Sequence, residues 1–155
     1  MFDDLRDLYQ EVILDHGRKP RNFRRLDNAT HHARGDNPLC GDRMDLWLAL
    51  DEDGSIADAA FQGRGCAISM ASASLMTETV RGKSPAQARQ MGEAFRELAM
   101  TGHCPHCDAA LEDDMERLTP LSGVHEFPSR VKCATLAWHT LNNALDSSGK
   151  EATSE

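Results

Sequence analysis

The sequence is poor in aromatic residues and contains no long hydrophobic run. Phe, Trp and Tyr make up 5% of the 155 residues, whereas hydrophobic residues as a whole make up 40%. A chain of this length fits one domain with a single core, and that core must rest on Leu, Ala, Met and Val. Since no apolar stretch approaches the length needed to span a bilayer, we expect no membrane-spanning segment.

The chain also lacks positive charge to balance its acidic residues. It has 17 Lys and Arg against 25 Asp and Glu, a formal net charge of -8, and no Lys and Arg cluster offsets this along one face. Nucleic acid and anionic membranes are therefore unlikely partners on electrostatic grounds. A basic protein partner remains compatible with this charge.

A secretory signal and a complete disulfide framework are absent as well. The segment Met1 to Leu8 carries three Asp residues and no apolar run, and the five cysteines are an odd number. We therefore expect a cytoplasmic protein whose cysteines are thiols or metal ligands.

Hydrophobic periodicity predicts an α+β domain with helices packed on one face of a small antiparallel sheet. A helix ending at Gly17 comes first. Residues 44–50 then alternate apolar and polar, a turn follows at 51–54, and 56–62 is the returning strand. Helices are predicted over 67–81, 84–101, 108–118 and 134–145. We expect one domain over 1–145 and a flexible tail over 146–155.

Three cysteines lie in segments that favour metal or sulfur chemistry. Cys40 is joined through Gly41 to Asp42, so a thiolate and a carboxylate can point to the same place. Cys66 and Cys133 are each predicted at a helix N-terminus, where the free N–H groups lower the pKa of a thiol. Three thiolates and one carboxylate form a tetrahedral set suited to zinc. On spacing alone, buried small hydrophobic cysteines explain the pattern equally well.

These segments resemble the NifU-like, or IscU-type, iron–sulfur scaffold family, and most closely its SufU branch. The resemblance implies a compact SufE/IscU-like α+β domain with a three-stranded antiparallel sheet. It also assigns Cys40, Asp42, Cys66 and Cys133 as the metal ligands. The motifs that carry the resemblance are Leu8–His16 with Pro20–Asn22, Asn37–Asp42, Gly63–Ser69 and Phe127–Leu136.

One departure from the family pattern indicates the branch. Family members that assemble clusters usually have His immediately before the third Cys, and this chain has Lys132 there. The SufU branch resembles a zinc-bound sulfur acceptor that receives persulfide sulfur from a SufS-type cysteine desulfurase and supplies a downstream cluster assembly complex. The resemblance places Arg130 beside the metal in an electrostatic role. Cys40 is the candidate sulfur acceptor, because its Cys-Gly-Asp loop can move without breaking a helix.

Two other functions stay open at this point. The same ligands could hold a transient [2Fe–2S] cluster on a scaffold, or a structural zinc domain could simply bind partners. The segment His103–Cys107 is not explained by the family. We interpret it as a loop with incidental thiols, the alternative being a second metal site completed by outside ligands. His31, His32 and His125 are predicted to be structural or solvated.

Overall fold

A mixed sheet forms the centre of the computed structural model, which describes residues 11–37, 41–102, 115–146 and 151–153. The sheet order is β3-β2-β1-β4. The first three strands pair antiparallel, and β4 runs parallel to β1 at the edge. The predicted three-stranded antiparallel sheet is confirmed, with a short fourth strand added. The strands are β1 (His31–Asn37), β2 (Asp42–Leu50), β3 (Ile56–Arg64) and β4 (Glu151–Thr153).

Strand β2 shows why the alternating pattern predicted a sheet covered on one side. Met44, Leu46 and Leu48 are fully or almost fully buried against the helices, whereas Asp45 and Trp47 lie half-buried on the opposite face. Successive side chains of a strand point to opposite faces of the sheet, so apolar residues at alternate positions cover one face only.

Helices follow the three antiparallel strands, as predicted. Ser84 begins α3 with a capping box, since its hydroxyl accepts from the N–H of Gln87 and the Gln87 side chain accepts from the N–H of Ser84. Of the helix predicted over 108–118, only residues 115–118 are described, and these are helical. The helices are α1 (11–18), α2 (Ala67–Val80), α3 (Pro85–Thr101), α4 (115–118), a 3₁₀ helix (Thr119–Glu126) and α5 (Pro128–Asp146).

Helix α5 begins six residues earlier than predicted. Pro128 occupies its first position, where the missing N–H of proline costs nothing, and the carbonyl of Phe127 accepts from the N–H groups of Arg130 and Val131. Because of this earlier start, Cys133 lies in the second turn of α5, not at its N-terminus. The predicted N-terminal position of Cys133 is therefore wrong.

The main core lies between the sheet and the helices. Phe61 from β3, Met76 from α2, Phe95 from α3 and Leu136 from α5 are fully buried in it. On the opposite face of the sheet, Leu26 covers a smaller apolar group that includes Ala49 and Ala60. No helix in the described ranges is long and apolar enough to cross a membrane.

The C-terminal segment pairs with the sheet in part. Asp146 is the last residue of α5, and Glu151–Thr153 pair with Arg34–Asp36 of β1. Three residues of the predicted flexible tail thus have backbone partners. The domain boundary at 145 and the flexibility of the rest of the tail stay predictions.

Candidate metal centre

Three of the four predicted ligands meet at one end of the sheet. Asp42 is the first residue of β2, Cys66 lies between β3 and α2, and Cys133 reaches the same place from α5. One carboxylate oxygen and the two sulfurs lie within 4.8 Å of one another. Cys40 lies outside the described residues, as do Cys104 and Cys107.

Asp42 is completely buried and uses only one of its two carboxylate oxygens within the described part of the chain. Its Oδ1 accepts from the backbone N–H of Cys66 at 3.0 Å, and its Oδ2 is buried without a hydrogen-bond partner. A buried carboxylate oxygen without a donor is costly. A cation bound beside Cys66 and Cys133 would satisfy it.

Gly65 allows the Asp42 carboxylate to approach the chain this closely. A Cβ atom at Gly65 would lie 2.6 Å from Oδ1 of Asp42, which is too short for a real contact, and 3.0 Å from its Cγ, which is tighter than most. The glycine therefore has a packing role, because any side chain there would displace the carboxylate. Gly63 and Arg64, which precede Gly65, are the last two residues of β3.

Cys66 is the N-cap residue of α2, as its position before a predicted helix suggested. Its Sγ accepts from the backbone N–H of Ser69 at 3.4 Å. The thiol is half-buried and free. The sulfur thus occupies a helix N-terminus and accepts from one of the N–H groups that have no partner within the helix.

Cys133 has a different environment, although its sulfur reaches the same point. The residue is fully buried within α5. Its Sγ lies 3.7 Å from the side-chain amide nitrogen of Asn37 and 3.7 Å from the carbonyl oxygen of Ser129. The free N–H groups of a helix N-terminus therefore do not reach it.

Arg130 lies beside both sulfurs, with its side chain exposed to solvent. The negative charge of the Cys66 thiolate, and then that of Cys133, raises the pKa of Arg130, and hydrogen bonds to both sulfurs act in the same direction. Four anionic ligands around a divalent cation carry a formal charge of about −2. The guanidinium offsets part of that charge.

Comparison with known proteins identifies the family. The model of the NifU-like N terminal domain matches residues 8–134. The chain belongs to this family. It is 41% identical over 142 residues to the zinc-dependent sulfurtransferase SufU of Bacillus subtilis, with 92% of each chain covered. It is 38% identical over 141 residues to the iron–sulfur cluster assembly scaffold protein IscU of Streptococcus pyogenes, covering 91% of this chain and 84% of that protein.

Solved structures agree with the family assignment. A putative iron–sulfur cluster assembly scaffold protein for the SUF system from Fervidobacterium islandicum superimposes with a TM-score of 0.78 at 33% identity. The match covers 87% of this chain and 94% of that protein. The resemblance to the NifU-like iron–sulfur family and the α+β fold that it implies are both confirmed.

The histidines that the structure describes lie outside the cluster of Asp42, Cys66 and Cys133. Lys132 lines a groove between α3 and α5 together with Glu93 and Trp138. His32 contacts Asp45 at 3.0 Å. His31 and His125 contact Thr30 and the carbonyl of Ser122, respectively. Among the described residues, no histidine joins Asp42, Cys66 and Cys133.

Sequence reasoning missed Asn37 as a residue of the site. Asn37 is 1% exposed at the end of β1, and its amide contacts Cys133, 96 residues further along the chain. The sequence shows neither this burial nor this contact, so only the fold reveals that Asn37 belongs to the site.

Proposed function

We propose that this protein is a zinc-dependent sulfur acceptor that acts in the cytoplasm. It takes persulfide sulfur from a SufS-type cysteine desulfurase and passes it to an iron–sulfur cluster assembly complex. The observation that carries this proposal is the meeting of Asp42, Cys66 and Cys133 around a buried carboxylate oxygen that receives no hydrogen bond from any described residue. The name of the Bacillus relative supports zinc as the metal.

The donor set fits a zinc ion. Two thiolates and a carboxylate converge, and Cys40, joined to Asp42 through Gly41, would supply the fourth ligand of a tetrahedral site. Bound zinc would supply a positive charge that keeps its cysteine ligands deprotonated. Arg130 would offset part of the remaining negative charge from the solvent side.

Cys40 is the proposed sulfur acceptor because the other two thiols are held by helices. Cys66 caps α2 and Cys133 lies inside α5, so moving either sulfur would disturb a helix end or the core. The Cys40 thiolate attacks the outer sulfur of the desulfurase persulfide. A new S–S bond forms on Cys40, the S–S bond of the donor breaks, and the donor cysteine leaves as a thiolate. The exchange needs no added oxidant or reductant.

A scaffold that holds a transient [2Fe–2S] cluster is the second candidate. Its support is the 38% identity to an IscU scaffold over most of the chain. The same thiolates can bind iron, since Cys is the usual ligand of such clusters. Anaerobic purification followed by metal analysis and absorption spectroscopy separates the two functions. Zinc without visible sulfur-to-iron bands supports the acceptor, whereas those bands with bound iron support the scaffold.

The decisive experiment combines cysteine turnover by the cognate desulfurase with zinc analysis. The parent protein is expected to stimulate turnover and to carry persulfide on Cys40. Cys40→Ala should retain part of the zinc on Asp42, Cys66 and Cys133 but accept no sulfur, whereas Cys66→Ala should lose both zinc and stimulation. Normal sulfur uptake by Cys40→Ala would exclude Cys40 as the acceptor. Parent protein that binds zinc without affecting the desulfurase would indicate a structural zinc domain.

A further inference from the structure

The Cys133 sulfur is contacted by groups of its own helix. The residue is fully buried in the second turn of α5, and its Sγ lies 3.7 Å from the Ser129 carbonyl oxygen. The exposed guanidinium of Arg130, also in α5, hydrogen-bonds to the same sulfur. A buried donor comes in addition from the sheet.

Asn37 provides that donor from β1. Its Nδ2 lies 3.7 Å from the Cys133 sulfur, and the residue is 1% exposed. Asparagine carries an uncharged NH₂ group that can donate two hydrogen bonds. The buried amide can therefore stabilise negative charge on the sulfur without adding a charge of its own.

Asn37 also connects the other parts of the centre through its backbone. Its carbonyl accepts from the N–H of Gly41 at 2.8 Å, which closes the loop that carries Cys40. In the antiparallel register, Asn37 is the direct partner of Asp42. One residue thus contacts the Cys133 thiol, the strand partner Asp42 and the end of the Cys40 loop.

We propose that Asn37 is a positioning residue of the metal centre, whose side-chain amide donates to the Cys133 thiolate and holds that sulfur toward Asp42 and Cys66. This inference rests on the metal site of the proposed function, not on sulfur transfer. Partners of metal ligands typically account for 10- to 100-fold in metal affinity. Asparagine suits the position, because aspartate would place a carboxylate beside a thiolate and alanine would remove the buried donor.

Zinc affinity, measured by chelator competition, tests the proposal together with the spectrum of the cobalt-substituted protein. Asn37→Asp keeps the shape of the side chain but removes the donor, and Asn37→Ala removes the group. Both are expected to weaken zinc binding about 10- to 100-fold. In the cobalt form, the thiolate-to-cobalt charge-transfer band of Asn37→Ala should move to lower energy, because a thiolate that has lost a hydrogen bond gives up an electron more easily.

Asn22→Asp is the matched control. Asn22 donates its side-chain amide to Thr77 at 3.1 Å, so its replacement also removes a partly buried amide donor. This variant should keep the parent zinc affinity and cobalt spectrum. The cobalt band separates positioning from folding, since a purely structural role would reduce the amount of bound cobalt without shifting the band.

The outcomes separate this inference from the proposed function. Parent-like zinc affinity and an unshifted cobalt band in both Asn37 variants would overturn the role of Asn37 and leave sulfur transfer untouched. Weaker zinc binding with a shifted band would support it even if the desulfurase were not stimulated. A parent protein that binds neither zinc nor cobalt would overturn both proposals.

Discussion

The two described cysteines bring sulfur to the same point from opposite structural situations. Cys66 sits at the start of α2, half-buried, and receives a hydrogen bond from the backbone N–H of Ser69. Cys133 sits inside α5, fully buried, and is contacted by the side-chain amide of Asn37, while Arg130 hydrogen-bonds to both sulfurs. A backbone donor is supplied by any sequence that starts a helix there. Side-chain donors depend on the identity of particular distant residues, so the Cys133 half of the site is the more sensitive to substitution.

The largest expected effect comes from removing either sulfur. Cys66→Ser and Cys133→Ser should each reduce zinc from about one ion per chain to nearly none, because a serine hydroxyl is not deprotonated at neutral pH and is a poor zinc ligand. Metal analysis of protein purified under reducing conditions measures the ratio. Full zinc content in either variant would show that the sulfur in question is not a ligand.

Gly65→Ala should weaken zinc binding about 10- to 100-fold without removing any ligand. The added Cβ would lie 2.6 Å from Oδ1 of Asp42, which forces the carboxylate away from Cys66. Chelator competition measures the affinity. Gly123→Ala is the matched control, since a Cβ there meets nothing within 4 Å and should leave the affinity unchanged. Equal affinities in the two variants would contradict the packing role of Gly65.

The capping role of Cys66 can be separated from its metal role by comparing two substitutions in zinc-free protein. Cys66→Ser keeps an N-cap acceptor for the Ser69 N–H, whereas Cys66→Ala removes it. The alanine variant should therefore be less stable than the serine variant by about 1 kcal/mol. Urea unfolding measures the difference. If the two variants were equally stable, the Ser69 N–H···S contact would contribute nothing to the fold.

Arg130→Ala should have the smallest effect on zinc affinity, because the guanidinium is exposed and screened by solvent. The loss is expected to be about two- to five-fold at low salt and to shrink further at high salt. Zinc affinity at two ionic strengths measures both parts of the prediction. Arg130→Lys keeps the charge and should recover most of the affinity. A salt-independent loss of affinity would point to a packing role for Arg130 instead.

Local patterns predicted the elements that depend on neighbouring residues. The alternation along β2, the start of α3 near residue 84 and the position of Cys66 before α2 were all predicted correctly, because each depends on residues that are close together in the sequence. The start of α5 was placed too late, since the buried stripe was taken to begin at Ala134 while the helix starts with exposed residues at Pro128. Asn37 was missed for a different reason. Its contact joins positions 96 residues apart, and no local pattern carries that information.

The divided use of the Asp42 carboxylate has a consequence for how the protein acquires its metal. One oxygen is already held by the chain through the Cys66 N–H, and only the other lacks a partner. Folding alone thus places the Asp42 carboxylate beside Cys66, before any ion is bound. The empty protein should accordingly keep its native fold, and loading and stripping of the ion should be reversible without passing through an unfolded chain.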